Sequence, residues 1–122
     1  MTYEEYNDFC RSLPATTYVE QWGGSHVWKV GGKVFAIVGW GKVDTERAYE
    51  FGTSELEFEI LKDESGFRPA PYLGTRGMKW IQQYKTSEAG NDELKEYLKN
   101  SHRIVSLGLT KKKQAELGLN HR

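Results

Sequence analysis

The stretch HVWKVGGKVFAIVGW, residues 26–40, constrains the fold more than any other part of this sequence. Apolar residues on both sides of Gly31-Gly32 are typical of two strands joined by a two-residue turn. Glycine suits both turn positions because it adopts positive φ without steric cost. The register of this hairpin predicts Trp28 opposite Phe35 and Val30 opposite Lys33. We therefore expect an antiparallel sheet.

Two helices are predicted from capping pairs. In residues 2–14, Thr2 and Glu5 fit a capping box, and apolar residues recur at intervals of three and four until Pro14 ends the pattern. The segment TSELEFEILKDESG, residues 53–66, has a similar Ser-x-x-Glu pair. Its apolar residues also alternate as in a strand, and we favour the helix.

The remaining patterns predict three more strands and two more helices. The strands are YVEQW, ERAYEFG and MKWIQQYK, and the helices are DELKEYLKNSHRIVSLGL, capped by Asn91 or Asp92, and KKKQAELG, capped by Thr110. Most connections are too short for parallel crossovers. We predict an α+β fold: one domain over residues 1–122, with a single, mainly antiparallel sheet and helices packed mainly on one face.

The charge is balanced overall and divided unevenly along the chain. The net charge is zero, but residues 1–64 hold 12 acidic and 6 basic side chains, and residues 65–122 hold 5 acidic and 11 basic ones. A neutral chain does not favour strong non-specific binding to nucleic acid, whereas a basic half leaves room for a local patch.

The same composition predicts a cytoplasmic protein with no membrane partner. A single cysteine excludes an internal disulfide, and there is no run of about 18 apolar residues. The first residues, MTYEEYNDF, are acidic and unlike a targeting peptide. We expect a monomer.

A candidate binding segment is GFRPAPYLGTRGMKW, residues 66–80, within a stretch that has no acidic residue from Ser65 to Ser87. Its basic side chains suit phosphate contact, and its aromatic rings would stack on bases if they are exposed. The alternative is that the rings belong to the core and the prolines hold an extended segment. A second basic run, Lys111–Lys113, starts the last helix, where the helix dipole disfavours cations; phosphate contact and a solvated helix end are both compatible with it.

Other chemistry is not indicated. His26, His102 and His121 are far apart in sequence, and no Cys or His pair has metal-ligand spacing, so no metal or cofactor is expected. Cys10 lies on the apolar stripe of the first helix, as an inert core thiol would. No catalytic motif is present, so we predict that the protein is not an enzyme.

Four segments together resemble the MmcQ/YjbR family of small bacterial proteins: FCRSLPATTYVEQW, VWKVGGKVFAIV, GFRPAPYLGTRGMKWIQ and LKEYLKNSHRIVSLGLTKKKQAELGL. The resemblance spans about residues 3–118. It implies a frataxin-like (CyaY-like) α+β fold and a role in DNA binding, in which the sheet and loops form a "double wing". The fold also implies iron carried on an acidic helix ridge, but the corresponding carboxylates are sparse here: Glu4, Glu5, Asp8, Asp44 and Glu46.

Two functions follow as hypotheses. The first is non-catalytic DNA binding, through Arg68, Tyr72, Arg76, Lys79, Trp80, Lys111, Lys112 and Lys113. The second is a protein- or small-ligand-interaction module in which the same aromatic residues line a groove. The exposure of Tyr72 and Trp80 separates the two, because exposed rings with a basic rim favour nucleic acid and an apolar concavity favours the second.

Overall fold

The computed structural model describes residues 1–21, 23–39, 48–71, 73, 78–85 and 90–119. The helices are α1 (Tyr3–Ser12), α2 (Glu55–Leu61), α3 (Gly90–Leu107) and α4 (Lys111–Glu116). The strands are β1 (Thr16–Gln21), β2 (Ser25–Val30), β3 (Lys33–Val38), β4 (Tyr49–Gly52), β5 (Phe67–Pro69) and β6 (Trp80–Gln83). The strands form one sheet in the order β1-β2-β3-β4-β6-β5, with every neighbouring pair antiparallel. The predicted α+β fold with a single antiparallel sheet is confirmed.

The β2–β3 hairpin forms as predicted at its turn but not along its length. Gly31 and Gly32 both have positive φ, and Val30 lies opposite Lys33. The predicted pairing of Trp28 with Phe35 is wrong, since Trp28 lies opposite Ala36. The register shifts beyond Trp28, and Phe35 is an extra residue on β3, as in a β-bulge. The bulge lets Phe35 and Ala36 contribute to the same apolar cluster.

The larger apolar cluster lies between the sheet and the helices. α1 begins with the predicted capping box of Thr2 and Glu5, and it buries Tyr6 and Cys10. α3 packs mainly on β3 and β4 and buries Leu94 and Leu98 in the same cluster. A smaller cluster forms on the opposite side of the sheet, from Val27, Ile37, Ala70 and Trp80.

The predicted helix over residues 53–66 is confirmed as α2, which is the shorter segment Glu55–Leu61. Its N-cap is Ser54, whose side chain accepts from the Glu57 amide. The helix turns Phe58 and Leu61 inward. Its other apolar residues, Leu56 and Ile60, point outward and are 72% and 55% exposed.

The remaining differences are local. Residues 67–69, predicted only as an extended segment, form the edge strand β5, where a proline is tolerated because one side of the strand has no pairing partner. α3 begins at Gly90, before the predicted caps Asn91 and Asp92. Thr110 caps α4 as predicted, through the Lys113 amide. None of the helices in the described ranges combines the length and the hydropathy required to cross a bilayer.

Candidate functional site

Arg68 is exposed on the edge strand β5. Its Nε donates to Gln82 Oε1 across the strand pair at 2.7 Å. Its guanidinium lies 5.2 Å from the centroid of the Tyr84 ring, within the range of a cation–π contact. The side chain is therefore held against β6, and its outer edge remains open to solvent.

Lys79 is exposed immediately before β6. Its Nζ lies 4.9 Å from the centroid of the Phe58 ring, and its carbonyl accepts from the Thr53 amide at 2.8 Å. Two other predicted site residues, Tyr72 and Arg76, lie outside the described residues.

Trp80 is the first residue of β6 and is 5% exposed. Stacking of a nucleic-acid base on this ring requires an exposed face, and Trp80 is too deeply buried to provide one at the protein surface. Trp80 instead belongs to the smaller apolar cluster, with Val27, Ile37 and Ala70.

Lys111, Lys112 and Lys113 are all exposed at the start of α4. Leu109 and Leu117, which flank that helix, pack over Gly31 and place it beside the β2–β3 turn. The strands β4 and β6 separate β3 from β5, a distance of about 14 Å across the sheet. The structure therefore does not bring Arg68 together with the lysine run.

An apolar cavity of about 530 Å³ lies beside Trp80. Lys33 is one of its lining residues, and its Nζ donates a hydrogen bond to the Gly108 carbonyl at 3.1 Å. The cavity is lined by Lys33, Val34, Ile37, Leu73, Met78, Trp80, Ile104, Val105 and Gly108. A concave apolar site of this size can enclose a small organic molecule or a single large side chain.

The end of β4 positions this cavity. Gly52 lies opposite Trp80, and a Cβ at Gly52 would stand 3.4 Å from the Trp80 Nε1 and 3.3 Å from the Ser101 Oγ. The Gly52 amide donates to Ser101 Oγ, which in turn donates to the Phe35 carbonyl. Because residue 52 has no side chain, the indole and α3 can both approach the strand closely.

A row of polar residues crosses the sheet next to the cavity. The row consists of Glu50, Gln82 and Arg68: Glu50 lies opposite Gln82, and Gln82 lies opposite Arg68. On its other side, Glu50 lies opposite the apolar residue Ile37. Glu50 and Gln82 are both 0% exposed. Among the described residues, no hydrogen-bond partner is found for either carboxylate oxygen of Glu50. The same holds for the Gln82 Nε2. Burial raises the pKa of the Glu50 carboxyl to about 7, and the positive charge of Arg68 opposes that rise.

Comparison with known proteins identifies the family. The YjbR family profile matches residues 11–104, most of the chain. The chain belongs to the YjbR family. A search of curated proteins finds no match.

A solved structure shares the fold. It is the crystal structure of a protein from Pseudomonas syringae that was a structural-genomics target. The two are 15% identical, with a TM-score of 0.66, and the alignment covers 85% of this chain and 98% of that one. At this identity the similarity concerns the fold alone, so the function of this YjbR-family protein must be argued from its own site.

Sequence reasoning missed Glu50 and most of the cavity wall. Glu50 alternates with Tyr49 and Phe51, a pattern in which the charged residue usually faces solvent. The strand lies in the middle of the sheet with both faces covered, so all four of its residues are buried. Nothing local in the sequence signals that second covering layer.

The other candidates of the YjbR-family chain have structural explanations. His102 is 5% exposed, and its Nε2 lies 2.8 Å from the Pro14 carbonyl. Cys10 is fully buried, and burial raises the pKa of its thiol far above the usual range. No group of three potential metal-ligating side chains converges in the described part of the chain.

Proposed function

We propose that this YjbR-family protein is a non-catalytic binding protein whose ligand enters the apolar cavity beside Trp80. The observation that carries the proposal is the position of Trp80, a 5% exposed ring that forms part of the cavity wall. A large, mostly apolar concavity with a few polar groups at its edge is the usual form of a small-ligand site. It corresponds to the second of the two sequence hypotheses.

Buried hydrogen bonds join α3 and β3, two of the elements that line the cavity. Ser101 ties α3 to Phe35 within β3 and to Gly52 at the end of β4, and Gly52 admits the Trp80 indole against the sheet. The walls therefore come from elements that are joined by buried hydrogen bonds. Such a site needs little reorganisation to bind, which lowers the cost of association.

A fragment titration followed by NMR tests this proposal. Toluene should shift the Trp80 indole N–H signal and the methyl signals of Val34 and Ile37 in a saturable way. Ile104→Trp, which fills the cavity, should abolish the shifts. Ile60→Trp, the same change at an exposed helical position, should leave them intact. Shifts that survive Ile104→Trp, or that never appear, would overturn the proposal.

DNA binding is a second candidate, supported by the position of the lysines rather than by the rings. β3 and β6 both run antiparallel to β4, so Lys33 and Lys79 stand at the same end of the sheet. α4 packs at that end too, and its residues Lys111–Lys113 are exposed. We propose that these cations contact the phosphates of DNA and that Trp80 stacks on no base.

Salt-dependent fluorescence anisotropy with a labelled duplex tests the DNA proposal. Replacing Lys79 and Lys112 with alanine should weaken binding and reduce the slope of log K against log salt by about two. Replacing Lys95 and Lys99, which lie on α3, is the matched control and should change the slope less. Equal effects of the two double variants would reject this surface.

A further inference from the structure

The cavity beside Trp80 is buried and apolar on one side and exposed and polar on another. Ile37 and Trp80, which line it, are 0% and 5% exposed. Lys33 and Gly108, which also line it, are both exposed. A molecule in this cavity would therefore have one part against buried apolar side chains and another part at the protein surface, near Lys33.

Lys33 supplies the charge at this exposed edge. Of the described residues that line the cavity, Lys33 alone is charged. Its Nζ donates to the Gly108 carbonyl at 3.1 Å, and a Cβ at residue 108 would stand 3.6 Å from the same nitrogen. The ammonium thus lies against the backbone that follows α3. An ammonium group has three N–H donors, so two remain beyond the bond to Gly108.

We propose that the ligand of this cavity has an apolar chain and a single carboxylate head, whose oxygens accept hydrogen bonds from the Lys33 ammonium. The inference rests on the cavity-binding function proposed above and names the chemical class of the ligand. The chain would lie between Val34, Ile37 and Trp80, and the head would stay at the exposed edge. Lys33 would then join the ligand to the Gly108 carbonyl.

The charge at the cavity favours a carboxylate over other heads. An ammonium head would be repelled by Lys33, and no acidic side chain among the described lining residues would compensate. A neutral head would gain no charge attraction from the ammonium. A carboxylate carries the single negative charge that one lysine can balance. Because this edge is exposed, the head keeps part of its hydration, which limits the cost of removing it from water.

The test compares octanoate, octylammonium and octanol, which have the same chain and a negative, a positive and a neutral head. Each is titrated at pH 7 and followed by the Trp80 indole N–H and Ile37 methyl signals. Octanoate should bind wild type about tenfold more tightly than octylammonium, since Lys33 attracts one head and repels the other. Octanol should lie between them. High salt should reduce the preference, because it screens exposed charges.

Variants at Lys33 separate the charge from the shape of the cavity. Lys33→Met removes the charge and should make octanoate and octylammonium bind equally. Lys33→Glu should reverse the preference, a result that a general loss of structure would not produce. Lys33→Arg should retain it. Lys99→Met, at an exposed position on α3 that does not line the cavity, is the matched control and should also retain it.

The outcomes distinguish this inference from the function on which it rests. A preference for octanoate that disappears in Lys33→Met and survives in Lys99→Met supports the carboxylate head. Equal binding of octanoate and octylammonium to wild type overturns it, and saturable toluene shifts would then still support the cavity as a binding site. Octanoate binding that survives Ile104→Trp also overturns it, because the chain would then lie elsewhere. If toluene and all three octyl compounds fail to bind, both proposals are wrong.

Discussion

The Ser101 hydroxyl accepts a hydrogen bond of 2.8 Å from the Gly52 amide and donates one of 2.6 Å to the Phe35 carbonyl. It thereby joins α3 to the end of β4 and to the middle of β3. Ser101 is 0% exposed, so bulk water does not compete for these two hydrogen bonds. One buried hydroxyl thus holds the helix in register with the wall of the cavity.

Replacing Ser101 with alanine should lower the free energy of unfolding by about 2–4 kcal/mol. The change leaves a buried amide and a buried carbonyl without this partner, and each such group costs about 1–3 kcal/mol. Urea denaturation monitored by circular dichroism measures the difference. Ser12→Ala, at an exposed position in α1, is the control and should change stability by less than about 0.5 kcal/mol. Similar losses in both variants would contradict the bridging role.

Glu50 should make the protein less stable as the pH rises from about 4.5 to 7. Burial raises the folded-state pKa of this carboxyl from 4.5 to about 7, so in that interval the folded chain retains a proton that the unfolded chain has released. By linkage, the free energy of unfolding falls across the interval and then levels off, with a total loss of about 3 kcal/mol at most.

Glu50→Gln should remove this component of the pH dependence, because the glutamine cannot titrate. Unfolding free energies of wild type and variant, measured at several pH values from 4.5 to 8, give the difference. The stability of the variant relative to wild type should increase as the pH rises. Glu55→Gln, at an exposed site on α2, is the control, and its unfolding free energy should depend on pH as that of wild type does. Parallel profiles for wild type and Glu50→Gln would show that the carboxyl titrates normally.

Gly66→Ala should destabilise the protein more than Gly32→Ala. Both glycines have positive φ, of 89° and 83°, so alanine is strained at either position. A Cβ at Gly66 would also stand 2.9 Å from the Lys85 carbonyl oxygen, whereas one at Gly32 would meet nothing within 4 Å. Thermal melts should therefore show a larger fall in Tm for Gly66→Ala. Equal falls would mean that the backbone strain alone is responsible.

Cys10 should react with a thiol reagent only when the chain unfolds. The side chain is fully buried in the larger apolar cluster, and burial raises the pKa of the thiol, so the reactive thiolate is scarce. Labelling by Ellman's reagent should be slow in buffer and fast in denaturant. Rapid labelling of the native protein would show that the first helix opens easily.

Sequence reasoning succeeded where the information is local. The Thr2 and Thr110 caps and the Gly31-Gly32 turn were predicted, because each depends on residues within one turn of the backbone. Sequence reasoning failed where residues distant in sequence determine strand pairing and register. The bulge at Phe35 shifted the hairpin register, and β5 forms only because β6 supplies its pairing partner.

The candidate site divides in the same way. The sequence by itself determined the class of fold, the family resemblance and an acid-free segment that holds Arg68, Lys79 and Trp80. Only the tertiary structure decided that Trp80 is a wall of a cavity and that Glu50 is buried beside it. The physical reason is that alternation along a strand assigns side chains to two faces, whereas the layers that pack on those faces come from distant parts of the chain.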